Sequence, residues 1–207
     1  MKKVSIWLVG LLFVGLSGCN KEPEPDLPAY LVMPSNLASY KGSGRVSITG
    51  DLTVSAEGQE RVQDGGKISG VQATASAGDE VFIYATFNQP RNYAESSMVP
   101  SEFRSNAVLS IMRTISAGTY PMGTLMKPNP RGEISDLVLN LPGPQLYNTE
   151  QGSLTVESST IIRQEGTYSL YRIRGNFNAT LGGYGTGITN KHPQVSGTFD
   201  VLAVASN

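Results

Sequence analysis

The chain of 207 residues contains one cysteine and one histidine. A single thiol excludes an intrachain disulfide framework, and the two residues together are too few for a zinc site built from His and Cys. Positive charge is not in excess. With 16 Lys and Arg against 17 Asp and Glu, the formal net charge is -1, so no basic field exists to attract nucleic acid. Tryptophan occurs once, as Trp7. Charged residues make up only 16% of the chain, which argues against a disordered polyelectrolyte. What is present instead is 23 Gly and 12 Pro, the punctuation of a turn-rich, strand-based chain.

The longest apolar run, Val4 to Leu16, follows Lys2 and Lys3 and ends in small residues. A basic start, a short apolar stretch and small residues at a cut describe a secretory signal peptide. As a helix, about 13 residues at 1.5 Å each reach only about 20 Å, short of the roughly 30 Å hydrocarbon core. Leu16-Ser17-Gly18-Cys19 resembles the lipobox of bacterial lipoproteins and sits where that motif belongs. The resemblance implies cleavage before Cys19, a diacylglycerol thioether on its sulfur, and acylation of the new amine. Each buried methylene contributes about 0.8 kcal/mol, and one acyl chain alone anchors only marginally, so two or three chains are what make attachment lasting. Cys19 is therefore the expected contact with a membrane.

Residues 1–18 are thus assigned to the signal peptide, 19–28 to a lipidated cysteine and acidic Pro-rich tether, and 29–207 to a single domain. Loss of Lys2, Lys3 and Trp7 leaves a mature chain with 14 basic and 17 acidic residues and no tryptophan. The tether alternates prolines with acids from Asn20 to Pro28, a composition that stays extended and solvated. Lys21-Glu22 and the acids after them also resemble the export signal of surface lipoproteins in Bacteroidetes-type bacteria. Asn20 is not the aspartate that holds many lipoproteins in an inner membrane. By resemblance the address is the outer membrane, facing the cell surface or, alternatively, the periplasm.

Beyond Tyr30 the apolar pattern has period two, the signature of half-buried strands. Tyr171, Ile173, Gly175, Phe177, Ala179 and Leu181 share one face; Val195, Gly197, Phe199 and Val201 share another; Ile48, Gly50, Leu52 and Val54 repeat the scheme. A glycine on the core face of a strand leaves a gap that a neighbour's ring can cover, so Phe177 or Phe199 is expected over such a glycine. Further strands are expected at Glu80–Phe87, Ala107–Met112, Leu137–Leu141 and Ser153–Val156, with Ala29–Met33 and Lys67–Ala75 as additional candidates. Val81 to Phe87 and Val108 to Met112 are apolar on both faces, as in strands covered on both sides. About eight to ten such strands predict an all-β, antiparallel β-sandwich, with a closed barrel as the alternative. The motifs Gly152–Val156, Ile173–Phe177 and Val195–Phe199 look like those of small β-sandwich lipoproteins of Bacteroidetes-type bacteria, a likeness in strand grammar that implies a fold and no chemistry.

Long loops are expected at Asn88–Asn106, Gly118–Ser135 and Pro142–Gly152, and a flexible hairpin at Gly182–Gly187. Tyr93, Tyr120, Tyr147 and Tyr184 fall in these loops and are the candidate contacts for a protein or glycan partner. Catalytic groups are sparse. No serine or thiol can be paired with His192 from the sequence, and Asp200 or Asp136 would have to stand behind it in a triad. Glu57, Glu60 and Asp64 read as a solvated hairpin tip, and Asp79-Glu80 would point to opposite faces of a strand. No cofactor or metal site is indicated. The expectation is a non-catalytic binding or assembly module at a membrane, the alternatives being a pilin-like subunit processed at Arg45 or a barrel-type carrier with an apolar pocket near Phe82, Tyr84 or Phe87.

Overall fold

The structure, a computed structural model, describes residues 27–63, 65–75, 80–90, 105–111, 116–123, 135–143, 145–184 and 190–206. Among these residues the protein is all-β and sandwich-like, with eleven strands joined in one sheet. They are β1 (Ser43–Gly50), β2 (Val54–Gly58), β3 (Arg61–Gln63), β4 (Lys67–Ala75), β5 (Val81–Pro90), β6 (Asn106–Ile111), β7 (Gly118–Gly123), β8 (Asp136–Leu141), β9 (Gln145–Glu165), β10 (Tyr168–Tyr184) and β11 (Gln194–Ser206). The order across the sheet is β2-β1-β11-β10-β9-β8-β6-β5-β4-β3, with β7 alongside β9. All of these neighbours pair antiparallel.

The sheet folds back on itself, and β4 is where it closes. One edge of β4 pairs with β5; the other meets four segments in turn. These are β3 at Ile68, Gln59 at Val71, the Lys41 carbonyl at the Ala73 amide (2.9 Å), and β11 at Thr74 and Ala75 in parallel. An unpaired edge would leave donors and acceptors to be satisfied by water or by another chain, and this seam satisfies them internally. Two glycines make it possible. Gly42 (φ +90°) and Gly70 (φ +137°) adopt backbone conformations that L side chains avoid, and a Cβ at either would run into backbone atoms of the opposing segment.

Period two decides the core. Ile173, Phe177, Leu181, Phe199, Val201, Ile83, Leu109 and Leu137 all face inward and are fully or almost fully buried. The expected cover over the core glycines occurs twice. In the β10–β11 ladder Gly175 pairs with Phe199 and Phe177 with Gly197, so each ring lies over the opposite glycine. The Phe199 ring occupies the space a Gly175 side chain would need, and the Phe177 ring does the same at Gly197. Alternating small and large residues in this way fills the core without forcing the strands apart.

Several expectations are corrected. Ile48 to Val54 is not one strand: the chain turns after Gly50 (φ +112°), and Val54 returns to pair with Ile48. Ala29–Met33 is irregular rather than a strand. The loop predicted at Pro142–Gly152 shrinks to a tight turn at Gly143 (φ +81°), after which Leu141 pairs with Gln145 and Leu139 with Tyr147. Gly118 begins strand β7, and Gly182 to Tyr184 extend β10 against Leu146 to Asn148. Finally, β5 is fully covered on one face and only partly on the other, where Thr86 is buried. Val81, Ile83, Ala85 and Phe87 are buried, whereas Tyr84 is 41% exposed.

Candidate functional site

The described chain begins on the outer face of the sheet. At one end of β10 and β11 that face is apolar, formed by Leu170 and Leu202 with Tyr168 and Val204 beside them. Residues 27–40 lie across it, burying Leu31, Leu37 and Tyr40 in a second, smaller core. Polar groups fix the segment. The Tyr40 hydroxyl donates to the Val32 carbonyl (2.6 Å), the Val32 amide donates to Ser43 Oγ (2.8 Å), and burial pushes the Tyr40 pKa up to about 12. Tyr30 donates to Asp200 Oδ2 (2.9 Å), and burial together with that carboxylate raises its pKa. Arg172 grips Asp200 through two hydrogen bonds of 3.0 and 2.7 Å, a bidentate charge-assisted pair that raises the pKa of the guanidinium. Arg45 places its guanidinium 4.4 Å from the Tyr30 ring centroid while bonding Glu57 at 3.0 and 2.7 Å. Arg45 is thus held inside the β1 ladder between β2 and β11, and a protease would reach the following bond only after that ladder opened.

The sequence-predicted ligand contacts do not converge. Tyr93, like Cys19, lies outside the described residues. Tyr120 sits half-buried on β7 with its hydroxyl donating to the Ser116 carbonyl (2.9 Å). Tyr147 is corrected outright: it is 2% exposed on β9 and belongs to the main core, because the short turn at Gly143 draws it into the ladder. Tyr184 ends β10, paired with Leu146, rather than standing in a loop. The predicted carrier pocket does not form around its three named rings either, since Phe87 points into the core while Phe82 and Tyr84 share the opposite face of β5.

The acids and the histidine are equally dispersed. His192 Nδ1 contacts Glu150 Oε2 (2.8 Å) on the exposed surface, far from the network that occupies Asp200. Among the described residues no three of His, Cys, Asp or Glu gather as metal ligands. Asp136 lies half-buried beside Thr149, whose amide donates to its Oδ1 (3.3 Å), and burial raises its pKa above the ordinary 3.8. Relative to the unfolded chain, the fold therefore favours the protonated form of this carboxyl over the charged one. Its contribution to stability is complete below about pH 3.8 and is lost as pH rises through the folded-state pKa. Asp136→Asn keeps an oxygen acceptor and removes the charge. It is expected to raise the midpoint of chemical denaturation at pH 7, with the gain shrinking to nothing near pH 3; an equal gain at both pH values would contradict this account.

Several concavities open on the outer faces, one of them, about 420 Å³, over β1 and β2 at Arg45, Ser47, Ser55 and Glu57. Another, about 570 Å³, runs over β9, β10 and β11. Ser153, Asn178 and Ser196 form one row across it, and Gln151, Thr180 and Gln194 the next, so its wall is uncharged and carries no aromatic ring. A third, about 320 Å³, lies over β4, β5 and β6 and is lined by Glu60, Ile68, Gln72, Tyr84, Thr86, Gln89 and Asn106. The sequence names Tyr84 here only as part of an apolar pocket, and the polar half of this site is not legible in it. Glu60 reads as a turn residue until β4 and β5 bring Gln72 and Thr86 to it. No protein-family model, no curated protein and no solved structure matches the chain.

Proposed function

We propose that the protein is a membrane-anchored lipoprotein of the outer membrane that acts as a non-catalytic binding module, attached through lipid on Cys19 and facing the cell surface. The observation that carries this reading is the firm docking of residues 27–40 on the outer face of β10 and β11. An anchor at Cys19 would sit eight residues before Leu27, a tether of about 25 Å if extended. Because the segment that follows is clamped by Tyr30, Tyr40 and Arg172, the pull of the anchor would reach the sheet at one defined end. The concavity at Asn178 and Thr180 lies some ten residues along β10 from Leu170, roughly 33 Å at strand rise, and would be held away from the bilayer. Among the described residues, acids that stand apart, an exposed His192 and the polar grooves favour binding over catalysis.

The test is Cys19→Ser expressed in the native host. The wild type is expected in the outer-membrane fraction with the mass of an acylated chain beginning at residue 19. The variant is expected to leave that fraction almost entirely. Unchanged partition, or an unmodified thiol in the wild type, would overturn the proposal. Protease shaving of intact cells separates a surface orientation from a periplasmic one.

A further inference from the structure

The outer face of β4, β5 and β6 carries more chemistry than the fold needs. Phe82 and Tyr84 lie side by side there, ring centroids 6.2 Å apart and planes inclined by 26°, with Tyr84 41% exposed. Across the β4–β5 ladder from Tyr84 stands Gln72, whose Nε2 donates to Glu60 Oε1 (2.5 Å). Thr86 donates to the other carboxylate oxygen (2.6 Å). Both donors are neutral, and no cation pairs with Glu60 among the described residues. One row further, Asn106 accepts from Asn140 Nδ2 (2.8 Å), and Gln89 is only 5% exposed. Ile68 supplies an apolar floor outside the main core.

Glu60 is half-buried, and an occupant that displaces its remaining water must replace the hydrogen bonds lost. The carboxylate offers about four acceptor sites, and two donors fill only half of them, leaving acceptor capacity in the cavity Glu60 lines. The amides around it supply N–H donors as well as oxygen acceptors. An occupant must therefore give hydrogen bonds to Glu60, take them from Gln72, Gln89 or Asn106, and lay a flat C–H face on Tyr84. An anion would be repelled by Glu60. A cation would satisfy Glu60 and the amide oxygens but leave the amide N–H groups without an acceptor. A purely apolar ligand would strip the carboxylate of water and return nothing.

A sugar ring meets all three demands, having hydroxyls that both donate and accept and a ring face made of C–H groups. We infer that this concavity is a binding site for a neutral sugar residue of an oligosaccharide, with Tyr84 as stacking platform and Glu60 as principal acceptor. Its volume falls at the low end of the roughly 300–1,000 Å³ of small-ligand sites, as suits one or two rings. This deepens the binding-module reading and rests on it, yet it is independent of the lipid.

The experiment is calorimetric titration of the detergent-solubilised lipoprotein with cellohexaose, maltohexaose, mannohexaose and xylohexaose, and with choline chloride as a cationic probe. At least one hexasaccharide is expected to bind saturably at or below about 1 mM. Tyr84→Ala and Glu60→Gln should each weaken it about tenfold or more, while Tyr84→Phe should stay within about threefold of wild type. Tyr84 is exposed, so its variants test the site even if Glu60→Gln melts early. Absence of binding by all four sugars, wild-type affinity in Tyr84→Ala, or choline binding in place of sugar would each refute the assignment. If acylation and membrane partition persist in that event, the anchoring proposal stands and only the ligand is wrong.

Discussion

Phe177→Ala is expected to cost about 3–5 kcal/mol, the range for removing a large aromatic from a packed core. Phe177 is 1% exposed, and the atoms nearest to a would-be Gly197 side chain in the β10–β11 ladder belong to its ring. The residue directly opposite cannot expand to close the hole, because a glycine has no side chain to move. Against a total stability of about 5–15 kcal/mol this is a large fraction. At roughly 2–4 °C per kcal/mol for a chain of this size, the melting temperature should fall by about 10 °C. The reciprocal change, Gly197→Ala, fails for the opposite reason: its Cβ would overlap the Phe177 ring, and overpacking of this kind costs about 1–3 kcal/mol. The two effects must couple. In a Phe177→Ala background the added methyl enters vacated space, so Gly197→Ala should become neutral or stabilising, with an interaction energy of about 1–3 kcal/mol from a denaturation double-mutant cycle. Strict additivity would show that the ring does not cover the glycine.

The second large effect is expected at the seam. Gly42→Ala combines two penalties. At φ +90° an alanine is strained by about 1–3 kcal/mol, and its Cβ would strike the amide and carbonyl of Ala73. These are backbone atoms that cannot swing aside, and the same Ala73 amide donates to the Lys41 carbonyl (2.9 Å). Opening that contact loosens the junction between β4 and β11, so a loss of about 3 kcal/mol or more is expected. Gly65 provides the control, with φ +83° and nothing within 4 Å of its would-be Cβ. Gly65→Ala carries the conformational cost alone, about 1 kcal/mol. Urea denaturation of both variants measures the contact by difference. Equal losses at the two sites would mean that the seam tolerates separation.

Some of this was readable along the chain. The alternation from Tyr171 to Leu181 and from Val195 to Val201 specifies strands and their inward faces, and the phased glycines and phenylalanines announce that rings cover gaps. Leu202 and Val204 carried a further signal. Each stands among the inward-facing Val201, Ala203 and Ala205, so this end of the strand is apolar on both faces and requires a cover. Residues 27–40 are that cover. Tyr147 was misplaced because proline and glycine at 142–144 suggested a long loop, whereas one tight turn suffices to reverse the chain. The polar Thr149, buried beside Leu137 and bonded to its amide (2.9 Å), masked the alternation that continues from Tyr147.

By itself the sequence determined the strand class and the inward residues of the long hairpin, because period-two patterning is a local property of the chain. Tertiary structure alone decided which edge closes against which, where the first described residues dock, and that Glu60 meets Gln72 and Thr86 beneath an exposed Tyr84. Those outcomes depend on hydrogen-bond partners 12 to 26 residues apart at the groove and up to 170 apart at the clamp. A strand's face is set by its own alternation; its neighbour is set by competition among all edges in the molecule.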